Sequence, residues 1–170
     1  LQQYAKETSK EECFKKYGQF IKDVINFIQN NKHPNLKLEE NGLLYTDGKD
    51  KAVTWMNSTA NGRPVVPRTG YIVEFNALWY NALCFCASLA GIVGEEDSQQ
   101  KLLAQAEQTK QAFLDTFLNE YGYLYDYVDG NMMDWSVRPN MIFAVAFDYS
   151  PLSQDQKKQV LDICTRELLT

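Results

Sequence analysis

The chain has 170 residues, of which 45% are apolar, 23% charged and 13% aromatic, with 17 Lys+Arg set against 22 Asp+Glu. That is enough to bury one core, so it reads as one domain or part of a larger one, and its apolar and aromatic content excludes a disordered segment. A formal net charge of -5 argues against a nucleic-acid surface, which needs a basic stripe.

In chain order, residues 1–6, holding Tyr4 and Ala5, read as the tail of a helix. Ser9 with Glu12 forms a capping-box pattern, followed by Phe14, Tyr17, Ile21, Val24 and Ile28 at helical spacing, with Lys15, Lys16, Lys22 and Asp23 on the other face. A long connection follows over residues 30–72, and its phrase Asn41-Gly42-Leu43-Leu44-Tyr45 predicts a short hairpin with glycine at the turn. Residues 73–93 predict a second helix that is apolar nearly all round. Asp97-Ser98 predicts the start of a third, with Leu102, Leu103, Ala106, Phe113, Leu114 and Phe117 as its stripe. A second long connection, residues 120–137, repeats the hairpin phrase as Tyr121-Gly122-Tyr123-Leu124-Tyr125. Pro139 suits the first turn of a fourth helix running uncharged through residues 141–147, and Ser153 with Gln156 caps a fifth, striped by Val160, Ile163, Cys164 and Leu168.

Within residues 52–94 the only charged side chains are Arg63, Arg68 and Glu74. The most apolar part, residues 82–93, is too short for the roughly 20 residues of a bilayer span, so a buried helix and no membrane association are expected. The cysteines, Cys13, Cys84, Cys86 and Cys164, read as free thiols. Cys84 and Cys86 point to nearly opposite sides of a helix, and His33 stands alone, so neither a metal site nor a cofactor is expected. Amphipathic helices alternate with all-apolar ones, which two concentric layers of helices would satisfy. The expected fold is therefore all-α, with short β-hairpins in the long loops.

Trp55, Trp79 and Trp135, together with Arg63, Arg68 and Arg138, fall in or just after the long connections. Aromatic rings beside Arg, carboxylate and Asn side chains suit a carbohydrate, whose pyranose ring has an apolar face and whose hydroxyls need donors and acceptors. Glycoside hydrolysis normally needs two carboxyl groups, and Asp134 and Glu74 are the local candidates. Competing readings stand beside these: Trp79 and Tyr80 as core, Glu74 as a helix-dipole partner, and Arg138 with Asp134 as a structural pair.

Thr54-Trp55-Met56, Pro67-Arg68, Gly70 and the run Val73-Glu74-Phe75-Asn76-Ala77-Leu78-Trp79-Tyr80-Asn81-Ala82-Leu83 resemble the glycogen debranching enzyme family, in its C-terminal amylo-α-1,6-glucosidase domain. Tyr123-Leu124-Tyr125-Asp126, Val128-Asp129-Gly130, Arg138-Pro139-Asn140, Ile142-Phe143-Ala144 and Glu167-Leu168-Leu169-Thr170 continue the likeness in order. The resemblance implies a six-hairpin (α/α) toroid of which residues 1–170 form about half. It also implies cytoplasmic hydrolysis, with inversion, of α-1,6-linked glucose at branch points of glycogen or another α-glucan. Trp55, Arg68, Glu74, Asn76, Trp135 and Arg138 would bind the sugar. The family's Thr-Trp-Met is followed by an Asp, the expected general acid, and here that position is Asn57. An amide cannot supply the proton, and losing a general acid costs ~10²–10⁴-fold. Asp134 is the candidate substitute acid, and the second carboxylate is expected outside the chain, leaving this fragment inactive by itself. The alternatives are a non-catalytic α-glucan-binding relative and a helical-repeat interaction module. Uncovered inner helices further predict self-association.

Overall fold

The computed structural model describes residues 1–169, so the end of the Glu167–Thr170 phrase lies outside the described residues. Its helices are α1 (Gln2–Glu7), α2 (Lys10–Gln29), α3 (Val73–Ile92), α4 (Glu96–Phe117), α5 (Ile142–Ala146) and α6 (Gln154–Leu168). Seven short strands lie in the two long connections: β1 (Leu36–Leu38), β2 (Leu44–Thr46), β3 (Thr59–Ala60), β4 (Arg63–Pro64), β5 (Gly70–Ile72), β6 (Tyr127–Asp129) and β7 (Met132–Met133).

The helices form for the reasons their sequences suggest. Ser9 Oγ accepts from Glu12 N at 3.0 Å, but the reciprocal half of the capping box is absent, because the Glu12 carboxylate accepts from Tyr4 OH at 2.7 Å instead. Ser153 and Gln156 complete both halves at the start of α6. In α4 the first helical residue is Glu96 rather than Asp97, and no side chain caps it. Pro139 opens a 3-10 turn, Pro139–Met141, that runs into the short α5.

Helix α3 is central. Its N-terminal half packs Val73 and Ala77 with Phe113 and Phe117 of α4, Ala144 of α5 and Val160 and Cys164 of α6. Its C-terminal half packs Leu83, Cys86 and Leu89 with Cys13, Ile21 and Ile25 of α2 and Ala106 of α4. Enclosure by α2, α4, α5 and the 3-10 turn explains why α3 lacks a polar face. It is long and apolar enough to cross a bilayer, yet more than half of it is buried inside the protein. The uncharged α5 is short and leaves Phe143 39% exposed, so it is less enclosed than its composition suggests.

The all-α expectation is overturned. The protein is 54% helical and carries a five-stranded antiparallel sheet and a separate two-stranded one, a mixed α and β fold. The reason is that the two long connections do not fold as separate hairpins. They run side by side in the order β1-β2-β5-β6-β7, with Tyr71 of β5 opposite Val128 of β6, and so satisfy each other's backbone groups. Gly70 permits this approach: its φ is +91°, and a Cβ there would meet the Val128 carbonyl oxygen at 2.2 Å. The Gly42 phrase does turn β1 into β2, with the Gly42 N–H donating to the Glu39 carbonyl. The Gly122 phrase makes the same turn on Asn119, but is flanked only by an isolated bridge between Leu118 and Leu124.

Candidate functional site

Strand β5 leads directly into α3, and the strand order sets β6 beside it. Three segments distant in sequence therefore meet where α3 begins: Arg68 before β5, Glu74 in the first turn of α3, and Asp126 just ahead of β6. The Arg68 guanidinium donates to both Glu74 carboxylate oxygens, at 2.5 and 2.7 Å, and to Asp126 through Nε at 2.8 Å and Nη2 at 3.0 Å. All three side chains are buried, with residue exposures of 2%, 2% and 1% for Arg68, Glu74 and Asp126. Burial opposes the charge on Arg68, but its bonds to Glu74 and Asp126 outweigh that, and its pKa rises. Glu74 also lies where the α3 dipole favours an anion.

Arg138 and Asn140, around the 3-10 turn, extend this lattice toward the surface. Arg138 Nη1 donates to Asp126 Oδ2 and to Asp134 Oδ2, each at 2.7 Å. Asn140 Nδ2 donates to Asp126 Oδ1 at 2.6 Å, while its Oδ1 accepts from Trp55 Nε1 at 3.0 Å. Each Asp126 oxygen thus accepts from two donors. Trp55 is fixed by its nitrogen yet 59% exposed, a ring offered to solvent above a rigid polar floor. The Met56 sulfur lies 3.4 Å from Asn140 Nδ2, so Asn57, itself exposed, follows directly from the lattice edge.

For Asp134, burial pushes the carboxyl pKa up, but hydrogen bonds from Arg138 and from Ser136 prevail and hold it below its ordinary value. An anion at neutral pH has no proton to give, so this geometry does not suit Asp134 as a general acid.

Of the residues expected at the site, Trp55, Arg68, Glu74, Asp134 and Arg138 join one continuous network. Arg68 and Glu74 are its buried floor, out of contact with solvent, while Trp55, Asn57 and the partly exposed Arg138 and Asp134 face outward. Asn76 stands apart. Fully buried, it accepts from Leu44 N and donates to the carbonyls of Leu44 and Ile72, clamping β2 to α3. Trp135 also stands apart, edge-on to Tyr125 at 4.7 Å and Tyr121 at 6.0 Å. Asp126 and Asn140 join the site without having been singled out for it. The available signals were a lone acid between the tyrosines of Tyr125-Asp126-Tyr127 and a lone amide before an uncharged helix.

An exposed indole held over a fixed lattice of guanidinium, carboxylate and amide groups sets an apolar ring face beside hydrogen-bonding groups, the chemistry a sugar ring and its hydroxyls would need. The amylo-alpha-1,6-glucosidase family model matches residues 1–170, and the chain belongs to that family, which is related to glycogen debranching. No curated protein matches it.

Proposed function

We propose that the chain is part of a cytoplasmic glycoside hydrolase domain that removes α-1,6-linked glucose at branch points of glycogen or a related α-glucan, by an inverting mechanism with two carboxyl groups. The observation that carries this reading is Trp55, anchored through Asn140 to the Asp126–Arg68 lattice and presenting its ring to solvent. Glucose would lie against that ring, with Arg138 and Asp134 bonding its hydroxyls and Asn57 beside the glycosidic oxygen. Inversion needs a carboxylate base on the far side of the sugar and a protonated carboxyl group at the leaving oxygen. By the family resemblance the base lies outside residues 1–170, and with an amide at Asn57 and Asp134 held as an anion the acid is supplied from outside them too. The chain alone therefore binds a glucosyl-branched maltosaccharide without releasing glucose. Calorimetric titration should show Trp55→Ala weakening that binding about tenfold, the equivalent of ~1.4 kcal/mol. Glucose release by the chain alone, or unchanged binding by the variant, would overturn the reading.

A second reading is that the domain binds α-glucan without cleaving it. It is favoured by Asn57 at the acid position together with two local aspartates whose oxygens are engaged by arginines. The full-length protein and its Asn57→Asp variant separate the two. Activity gained only in the variant supports binding alone, whereas strong activity in the unsubstituted protein excludes it. Self-association of the chain through its exposed apolar side chains belongs to the same proposal.

A further inference from the structure

Beyond α4 the chain makes a turn whose geometry is set by two residues. The Asn119 carboxamide oxygen accepts from Tyr121 N and Tyr123 N, and Gly122 takes a φ of +80°. In the matching turn of the first connection the residue before the glycine is Asn41, whose side chain accepts from Leu43 N and so takes part in the turn. Its counterpart, Tyr121, makes no such contribution, because Asn119 does that work, and its side chain is 72% exposed. The turn does not require an aromatic at position 121.

What Tyr121 does is meet Trp135, which is 41% exposed and packs edge-on against both Tyr121 and Tyr125. Tyr123 fixes the same segment by donating its hydroxyl to the Trp135 carbonyl at 3.2 Å. Tyr121 and Tyr123 also form one wall of an open surface groove of about 590 Å³ whose other wall is α6, presenting Gln159, Asp162 and Arg166. Its size falls in the ~300–1,000 Å³ range of small-molecule sites. One wall offers aromatic rings and the other the Gln159 amide, the Asp162 and Glu167 carboxylates and the Arg166 guanidinium, whose Nε donates to Glu167 at 2.8 Å and whose other N–H groups remain for a ligand. Apolar area, acceptors and donors thus converge along one open channel.

From this we propose that the groove is a second carbohydrate site, holding an extended α-1,4-glucan chain on the outer surface, with Tyr121 as its principal stacking residue and Trp135 as the ring that braces it. The inference rests on the α-glucan reading above but concerns separate residues: Trp55, Arg68, Glu74 and Asp126 are not part of the groove. A polymer lying in the groove would stay tethered while a branch end occupied the Trp55 lattice.

The test is calorimetric titration of the chain with linear maltoheptaose, and separately with a glucosyl-branched maltosaccharide and with cellohexaose. Maltoheptaose should bind, and Tyr121→Ala should weaken it about tenfold, a stacking contribution of the usual size. Asp162→Ala, an exposed change on the opposite wall, should weaken it too, while Phe20→Ala, an exposed aromatic on α2, should not. Melting temperatures of these surface variants should match the parent chain. Binding of maltoheptaose that is unaffected by both Tyr121→Ala and Asp162→Ala would overturn the second site, as would equal affinity for cellohexaose. Binding of the branched ligand without maltoheptaose would also overturn the groove while leaving the Trp55 reading intact; binding of neither would remove both.

Discussion

Arg68 shows how a charged residue in an otherwise charge-poor stretch is retained. Two buried carboxylates face it; removing its charge strands Glu74 in a low-dielectric interior, while Asp126 keeps Arg138 and Asn140, and the loss of one partner from a buried ion pair typically costs ~3–5 kcal/mol. Arg68→Met should therefore lower the urea midpoint strongly with no sugar present. Adding Glu74→Leu to that background should restore part of the loss, because the stranded charge is then removed. If Arg68 acted only on substrate, neither substitution would move the sugar-free midpoint. Asp134 supplies a pH signature. Its pKa is depressed on folding, so it contributes stability above its unfolded value, and that contribution is lost as pH falls through the lower folded one. The window thus opens below about pH 4. Acid titration of stability should be shallower there in Asp134→Asn than in the parent chain, and an identical slope would mean that the Arg138 and Ser136 bonds do not persist in solution.

At the scale of elements, the clamp between β2 and α3 is the clearest test of a structural reading. Asn76 satisfies both backbone groups of buried Leu44, and Asn76→Ala leaves that donor and acceptor unpaired, which costs ~1–3 kcal/mol for each group left without a partner. The expected result is a lower melting temperature with unchanged sugar affinity in whatever fraction remains folded. Asn76 was expected at the sugar because its immediate neighbours carry the family resemblance, and sequence proximity to Glu74 does not reveal that the two side chains point different ways from α3. The long helices were legible because their apolar spacing is local and repeats over many turns. The sheet was not, since its strands are two or three residues long, too short for alternation to register. Its decisive pairing joins Tyr71 to Val128 across an intervening pair of helices. The same non-locality hid Asp126, whose bond to Arg68 spans 58 positions. What local sequence did carry was Trp55, Arg68, Glu74, Asp134 and Arg138, because rare charges and tryptophans gathered in long connections stand out wherever the chain later takes them.

For the whole molecule, the informative surface is on α2. Phe20, Val24 and Phe27 are 60%, 41% and 42% exposed, and their spacing of four and then three residues puts them on one helical stripe. The stripe continues a contact already made. Toward the start of α2 the adjoining surface is covered by α1, where Cys13 is fully buried and Tyr4 meets Tyr17 edge-on at 5.4 Å. Past α1 the cover stops and the stripe meets solvent. At the other end of the chain α6 exposes Leu161 and Leu168, also on one face, at 48% and 38%. Two separate exposed apolar stripes, one on α2 and one on α6, favour association of copies, with the α2 stripe of one copy on the α6 face of another. Because the two surfaces differ, such contacts either close a ring of copies or continue as an open chain. Multi-angle light scattering should therefore show mass rising above the monomer as concentration increases. Phe20→Glu alone should suppress it, and Leu161→Glu, on the opposite partner surface, should do the same. Mixing the two single variants should restore pairing, since each retains one intact surface, whereas a symmetric stripe-on-stripe dimer would be lost in Phe20→Glu and kept in Leu161→Glu. A strictly monomeric parent chain at high concentration would exclude both arrangements.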